Sequence, residues 1–143
     1  MPTFDNQNLS VNNELTKARM RTLMESSTPQ QKFDIALTAS MTNSSIEYVC
    51  ATGEISVFVV TLISRTLNIN PFYLTGETDI SDGYTKESIP LFLLDKGYTD
   101  VDEFSESIKD ELHDENALDR VIWRDPTLNK RKKDNDIFGS SLC

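Results

Sequence analysis

The chain has 143 residues, of which 38% are hydrophobic, 8% aromatic and 26% charged, the profile of an ordinary globular domain rather than of a disordered, collagen-like or membrane protein. Its 14 Lys/Arg against 23 Asp/Glu leave a formal net charge of -9, an unfavourable total for phosphate backbones, whose binding relies on Lys and Arg releasing counterions. Uninterrupted apolar runs such as Val57 to Val60 fall far short of the roughly 20 apolar residues that span a bilayer, and Met1 to Ser10 holds neither a basic residue nor an apolar block, so no membrane partner and no signal peptide are expected and the expected compartment is the cytoplasm.

Residues 1 to 12 are polar and Asn-rich without apolar periodicity, which reads as a flexible N-terminal arm. From Asn13 onward Leu15, Ala18, Leu23 and Met24 recur at helical spacing, with Lys17, Arg19 and Arg21 on the remaining surface. Thr28-Pro29 then offers an N-cap followed by a proline at the first helical position, and Phe33, Ala36 and Leu37 supply the apolar face of a second helix ending near Ala39. After a short connection, Thr42 can cap a third helix over Asn43 to Thr52, with Ile46, Val49 and Cys50 inward and Gly53 closing its end. The run Ile55 to Ile63 is rich enough in β-branched residues to suit a buried strand. Helix is the better reading, because Val60, Ile63 and Leu67 continue the i, i+3, i+7 spacing and Asn68 suits a left-handed terminator. Asn70-Pro71 starts a one-turn fifth helix, stopped by Gly76.

Past residue 80 the chain turns acidic: residues 14 to 80 carry five Lys/Arg against seven Asp/Glu, residues 81 to 143 nine against fifteen. A short helix is expected around Pro90 and Leu91 to Leu94, with Gly97 as its stop. Asp100 or Asp102 opens a longer helix in which Val101, Phe104, Ile108 and Leu112 recur at intervals of three and four. A phase slip near Asp114 to Asn116 precedes Leu118, Val121, Ile122 and Trp123, and Pro126 ends regular structure. The organisation expected is therefore a flexible arm (1–12), a helical domain (13–80), an acidic helical extension (81–125) and a disordered tail (126–143).

Catalytic signatures are missing. The chain has no Gly-rich phosphate loop, no Gly-x-Ser-x-Gly elbow and no His-Glu-x-x-His, and with one histidine, His113, neither a multi-histidine metal site nor a His-paired nucleophile is expected. Cys50 and Cys143 form neither a disulfide framework nor a metal-ligand spacing. The pairs Asp102-Glu103, Asp110-Glu111 and Asp114-Glu115 lack the alternating ligands and central glycine of a calcium loop and read as a solvated helix face. No enzyme activity, cofactor or metal is expected.

A helix, a short turn and a second helix with a polar outer face make a helix-turn-helix arrangement. Gln31 to Gly76 resembles the lambda-repressor and Cro type of helix-turn-helix family: Ala36 stands at the small position of helix two, Met41 at the aliphatic of the turn, and Ile46 and Val49 at the anchors of the recognition helix. Leu67-Asn-Ile-Asn-Pro-Phe-Tyr-Leu-Thr-Gly76 is similar to the family's last helix. The resemblance implies an all-α fold, a five-helix domain followed by additional C-terminal helices, and a transcriptional regulator of the kind common in bacteria and phages, acting on double-stranded DNA. It further implies that Asn43, Ser44, Glu47 and Tyr48 face base edges in the major groove and that Ser45 and Thr52 meet phosphates. Such residues suit the work, since Asn pairs bidentately with adenine, Glu accepts from cytosine N4, and the Thr42 end of the helix presents free amides. Lys32, Arg19 and, less specifically, Lys17, Arg21 and the tail run Lys130-Arg-Lys-Lys133 are the candidate phosphate-neutralising residues.

Regulators of this kind read paired half-sites and need two copies in register, which makes Phe104, Ile108, Leu112, Val121 and Trp123 a candidate dimerisation stripe. The same residues also suit a cover for the core of the first five helices. A second function stays open. Residues 42 to 54 hold no Lys or Arg and two glutamates, Glu47 and Glu54, which suits a protein-interaction module binding another regulatory protein, as an anti-repressor or DNA-charge mimic on a helix-turn-helix scaffold.

Overall fold

Side-chain caps set where most of the helices begin. The structure, a computed structural model, describes residues 8–82 and 87–121. Asn12 accepts from the Leu15 amide and starts α1 (Asn13–Ser26). Thr28 and Gln31 form a reciprocal capping box that, with Pro29 in the first turn, fixes the start of α2 (Pro29–Ser40). Ser45 caps α3 (Ile46–Thr52), Ser56 caps α4 (Val57–Leu67), Asn70 caps α5 (Pro71–Thr75) and Asp100 caps α7 (Val101–Ser107). Only α6 (Ser88–Asp95) starts without a side-chain cap. Gly53, Asn68 and Gly76 end their helices in the left-handed conformation. The fold is all-helical among the described residues, with a single isolated antiparallel bridge, Thr42 to Leu112, and no single helix long and apolar enough to cross a membrane.

α4 is the axle of the molecule. All eight residues from Val57 to Ser64 are buried, the pattern of a helix apolar on every side because it is surrounded. It packs on α2, α5, α6 and the 3-10 turn Glu115–Arg120, and α1 packs on α3 and α5. The helical alternative for Ile55 to Ile63 thus prevails over the strand. Phe72 and Phe92 meet edge to face at 5.2 Å, joining α5 to α6, and Tyr98 and Phe104 do the same at 5.5 Å.

Three local expectations change in the first two helices and the segment before them. Residues 8 to 12 are not a free arm: the Leu9 amide donates to Ile55 O and the Val11 amide to Thr75 O, while Leu9 packs on the core. On α2 the buried positions are Ile35, Thr38 and Ala39, whereas Ala36 is exposed and Phe33 is 61% exposed. Thr38 enters the core because its hydroxyl donates to Asp34 O, one turn back, so a residue counted as polar carries no unpaired group inward. On α1, likewise, Thr16 and Met20 are the buried residues, and the Thr16 hydroxyl donates to Leu74 O at 2.8 Å.

The long C-terminal helix is broken. α7 stops at Ser107, and after Ile108 come a 3-10 turn, Lys109–Glu111, the bridge at Leu112, and a second 3-10 stretch, Glu115–Arg120. The helical ladder is given up here because the backbone finds other partners, the Met41 carbonyl and the Asn43 amide. Phe104, Ile108 and Val121 are fully buried within this one chain, and Leu112 is half-buried against the core. These four residues therefore pack on the chain's own core rather than presenting an exposed stripe to a second copy. Trp123 and the run Lys130 to Lys133 lie outside the described residues.

Candidate functional site

The stretch from Met41 to Thr52 carries most of the polar residues expected to meet a partner. α3 starts at Ile46, three residues later than the spacing suggested, because Ser45 rather than Thr42 accepts the capping amide, that of Tyr48 at 3.1 Å. Thr42 is buried instead: its hydroxyl donates to Ala39 O and accepts from the Ser44 amide at 3.0 Å. Asn43, Ser44 and Ser45 consequently form a short loop between α2 and α3. Asn43, Ser45 and Glu47 are exposed, Ser44 is half-buried, and Tyr48 is 51% exposed. Val49 is the buried anchor of α3, with Ile46 and Cys50 partly buried against the core. The body of α3 thus holds the orientation expected of it.

Gly53 lets α3 lie directly on the start of α1. Its φ is +81°, and a Cβ there would stand 1.8 Å from the Asn13 carbonyl oxygen. Arg21 of α1 donates from Nε to Cys50 O at 2.9 Å, placing a cation at the C-terminal end of α3. Burial pushes the Cys50 thiol above its ordinary range, partly offset by Arg21. Thr52 donates to Tyr48 O and accepts from the Glu54 amide, which ties α3 to its exit loop. The Tyr48 hydroxyl donates to Glu54 Oε1 at 2.7 Å, and that bond, with the carboxylate's charge, raises the phenol above its ordinary pKa.

The head of α3 is clasped by the acidic segment 109–114. The Asn43 amide donates to Glu111 O at 3.2 Å, and the His113 and Asp114 amides donate to Met41 O at 2.6 and 3.2 Å. The Asn43 side chain donates from Nδ2 to Glu111 Oε1 at 3.0 Å. Its Oδ1 lies beside His113 Nε2; an amide oxygen can only accept, so Nε2 carries the proton of this contact. Both halves of the Asn43 amide, the donor and acceptor that a bidentate contact with adenine uses, are therefore engaged within the chain. Glu111 and His113 are the site residues that sequence reasoning missed. Their partners are 68 and 70 residues away, and no local spacing reports such a pairing.

The candidate cations are spread unevenly. Arg19 is not at the surface: its side chain is 10% exposed, donates to Tyr73 O, Thr78 O and Asp79 Oδ1, and lies 4.0 Å from the Tyr73 ring centre. It fastens α1 to α5 and is not available to phosphate. Lys17 pairs with Glu14, whereas Lys32 is exposed on the first turn of α2. Among the described residues no group of three His, Cys, Asp or Glu is placed to hold a metal ion.

Comparisons with protein-family models, with curated proteins and with solved structures find no match for this chain.

Proposed function

We propose that the chain is a helix-turn-helix DNA-binding regulator of the lambda-repressor and Cro type, in which α1 to α5 form the five-helix domain and α3 enters the major groove. The observation that carries this reading is the exposed set Asn43, Glu47 and Tyr48, with the half-buried Ser44 between them, at the head of a helix whose opposite side is anchored by Val49. The helix boundaries of α1 to α5, each closed by its own caps, add support. Lys32 and the exposed Ser45 are the phosphate partners in this reading; Arg19 is not. The chain acts as a homodimer on paired half-sites, its contacts falling on exposed apolar residues such as Leu91 and Leu94 of α6.

One observation favours a second reading. Asn43 is already held by Glu111 and His113, and the cavity beside it brings Glu54 and Glu111 together, while α3 itself carries Glu47 and no basic residue. Such a face suits a basic protein partner, as in an anti-repressor.

A selection from random duplexes, followed by gel shifts across a salt series, separates the two. DNA reading requires an enriched sequence, loss of the base preference at one position of that sequence for Asn43→Ala, and little change in non-specific affinity. Lys32→Ala should weaken all sequences alike and flatten the salt slope by about one unit. No enriched sequence at low salt, with retention of a basic protein that Glu47→Lys releases, replaces the first reading with the second.

A further inference from the structure

Between α3, the start of α4 and the clasping segment lies a cavity of about 480 Å³, inside the roughly 300–1,000 Å³ range of small-molecule sites. Its inner wall is apolar, built by Phe58 and Val59 of α4 with Ile108 and Leu112 of the clasp. Its mouth is ringed by amides and hydroxyls. Among the described residues the charged side chains lining it are Glu54 and Glu111. Among the described residues neither carboxylate has an ion-pair partner. Glu54 takes the Tyr48 hydroxyl and Glu111 the Asn43 amide on one oxygen each, which leaves the second oxygen of each to solvent or to a ligand.

We propose that this cavity binds a small organic ammonium ion with an apolar body. An anion would add a third negative charge to the two present. A neutral apolar ligand would strip water from carboxylates and return nothing to them. An ammonium group returns charge-assisted hydrogen bonds to those oxygens while its hydrocarbon part covers Phe58, Val59 and Leu112, and the half-exposed Tyr48 ring adds an aromatic wall for the cation. Glu111 is also the residue that holds Asn43, so an ammonium ion that draws the carboxylate toward itself through the second oxygen loosens its hold on Asn43. That regulatory consequence rests on the proposed DNA reading; the binding itself does not.

The test titrates the isotope-labelled full chain with phenethylammonium and follows amide resonances, using phenethyl alcohol and phenylacetate as neutral and anionic probes of similar shape. The ammonium should shift Ser44, Tyr48, Glu54 and Glu111 saturably and bind at least about tenfold tighter than the alcohol, with phenylacetate leaving them unmoved. The double variant Glu54→Gln, Glu111→Gln, checked for folding by its melting curve, should bring the ammonium down to the alcohol's affinity. If that variant does not fold, Ser44→Trp at the mouth must block the same shifts. Equal affinity for ammonium and alcohol, shifts confined to another surface, no saturable shift up to about 10 mM, or variants that bind like the parent each overturn the proposal. The experiment contains no DNA, so its failure and the failure of the DNA reading are separate results.

Discussion

Replacing Gly53 with alanine tests the seam that presents α3. The backbone there has φ +81°, and the added Cβ would fall 1.8 Å from Asn13 O, 2.6 Å from Asn13 C and 3.0 Å from Asn13 Cα. Those are backbone atoms, so no rotamer change relieves the overlap; α1 and α3 must separate. The left-handed conformation costs a non-glycine residue roughly 1–2 kcal/mol, and forced repacking adds about 1–3 kcal/mol. The expected loss is about 2–5 kcal/mol against the 5–15 kcal/mol that holds a typical domain. Gly97 is the internal control: its φ is +103°, but nothing lies within 4 Å of its Cβ direction, so Gly97→Ala carries the backbone cost alone. In urea melts followed by circular dichroism, Gly53→Ala should lower the midpoint by roughly 1–2 M, clearly beyond the control. Equal midpoints for the two variants would refute the close approach of α3 to Asn13.

Phe104→Ala should cost about 3–5 kcal/mol, because it empties a core position, and should leave the oligomeric state by sedimentation unchanged; dissociation without destabilisation would restore Phe104 as an interface residue. Arg19→Ala should destabilise by about 1.5–3 kcal/mol through the loss of its bonds to Tyr73 O and Thr78 O, the exposed Asp79 contributing little. If it instead altered only the salt dependence of DNA binding, its assignment as a fastener would fail. Glu54→Gln should lower the Tyr48 pKa toward its ordinary value of 10.0, since the hydrogen bond and charge that raise it both come from that carboxylate. A folded-state pKa that is raised favours the protonated phenol, so the Tyr48–Glu54 link is intact below the ordinary pKa and lost as pH rises through the raised value. An ultraviolet titration of parent and variant checks this, and identical curves would contradict it.

What could be read in the sequence was whatever local chemistry decides. Thr28-Pro29, Asn68, Asn70-Pro71 and Gly76 act on neighbouring amides and carbonyls, so the ends of α2, α4 and α5 follow from a few adjacent residues. The buried faces of α1 and α2 were less legible, because Thr16 and Thr38 hide their hydroxyls in bonds to backbone oxygens and then pack as small apolar groups. Arg19 looked like a surface cation because a stripe of basic residues gives no sign that Tyr73 and Thr78 carbonyls lie within reach. Phe104, Ile108 and Val121 showed an apolar stripe correctly, but inward and intersubunit stripes are identical until the neighbouring elements are placed.

The clasp is where distance in sequence matters most for function. Three backbone bonds and the two contacts of the Asn43 side chain join 109–114 to 41–43. A net worth of about 0.5–1.5 kcal/mol per hydrogen bond makes freeing the Asn43 side chain alone cost on the order of 2 kcal/mol. Under the proposed DNA reading, a bidentate contact with adenine returns about 1–3 kcal/mol, so the exchange is close to balanced. At 2 kcal/mol the competent form is about one molecule in thirty, and apparent affinity falls by the same factor. Lys32 offers a phosphate contact but no sequence preference. Under that reading the acidic segment acts on discrimination between sequences more than on adhesion to DNA, and any influence that draws Glu111 away from Asn43 would raise specific binding before non-specific binding.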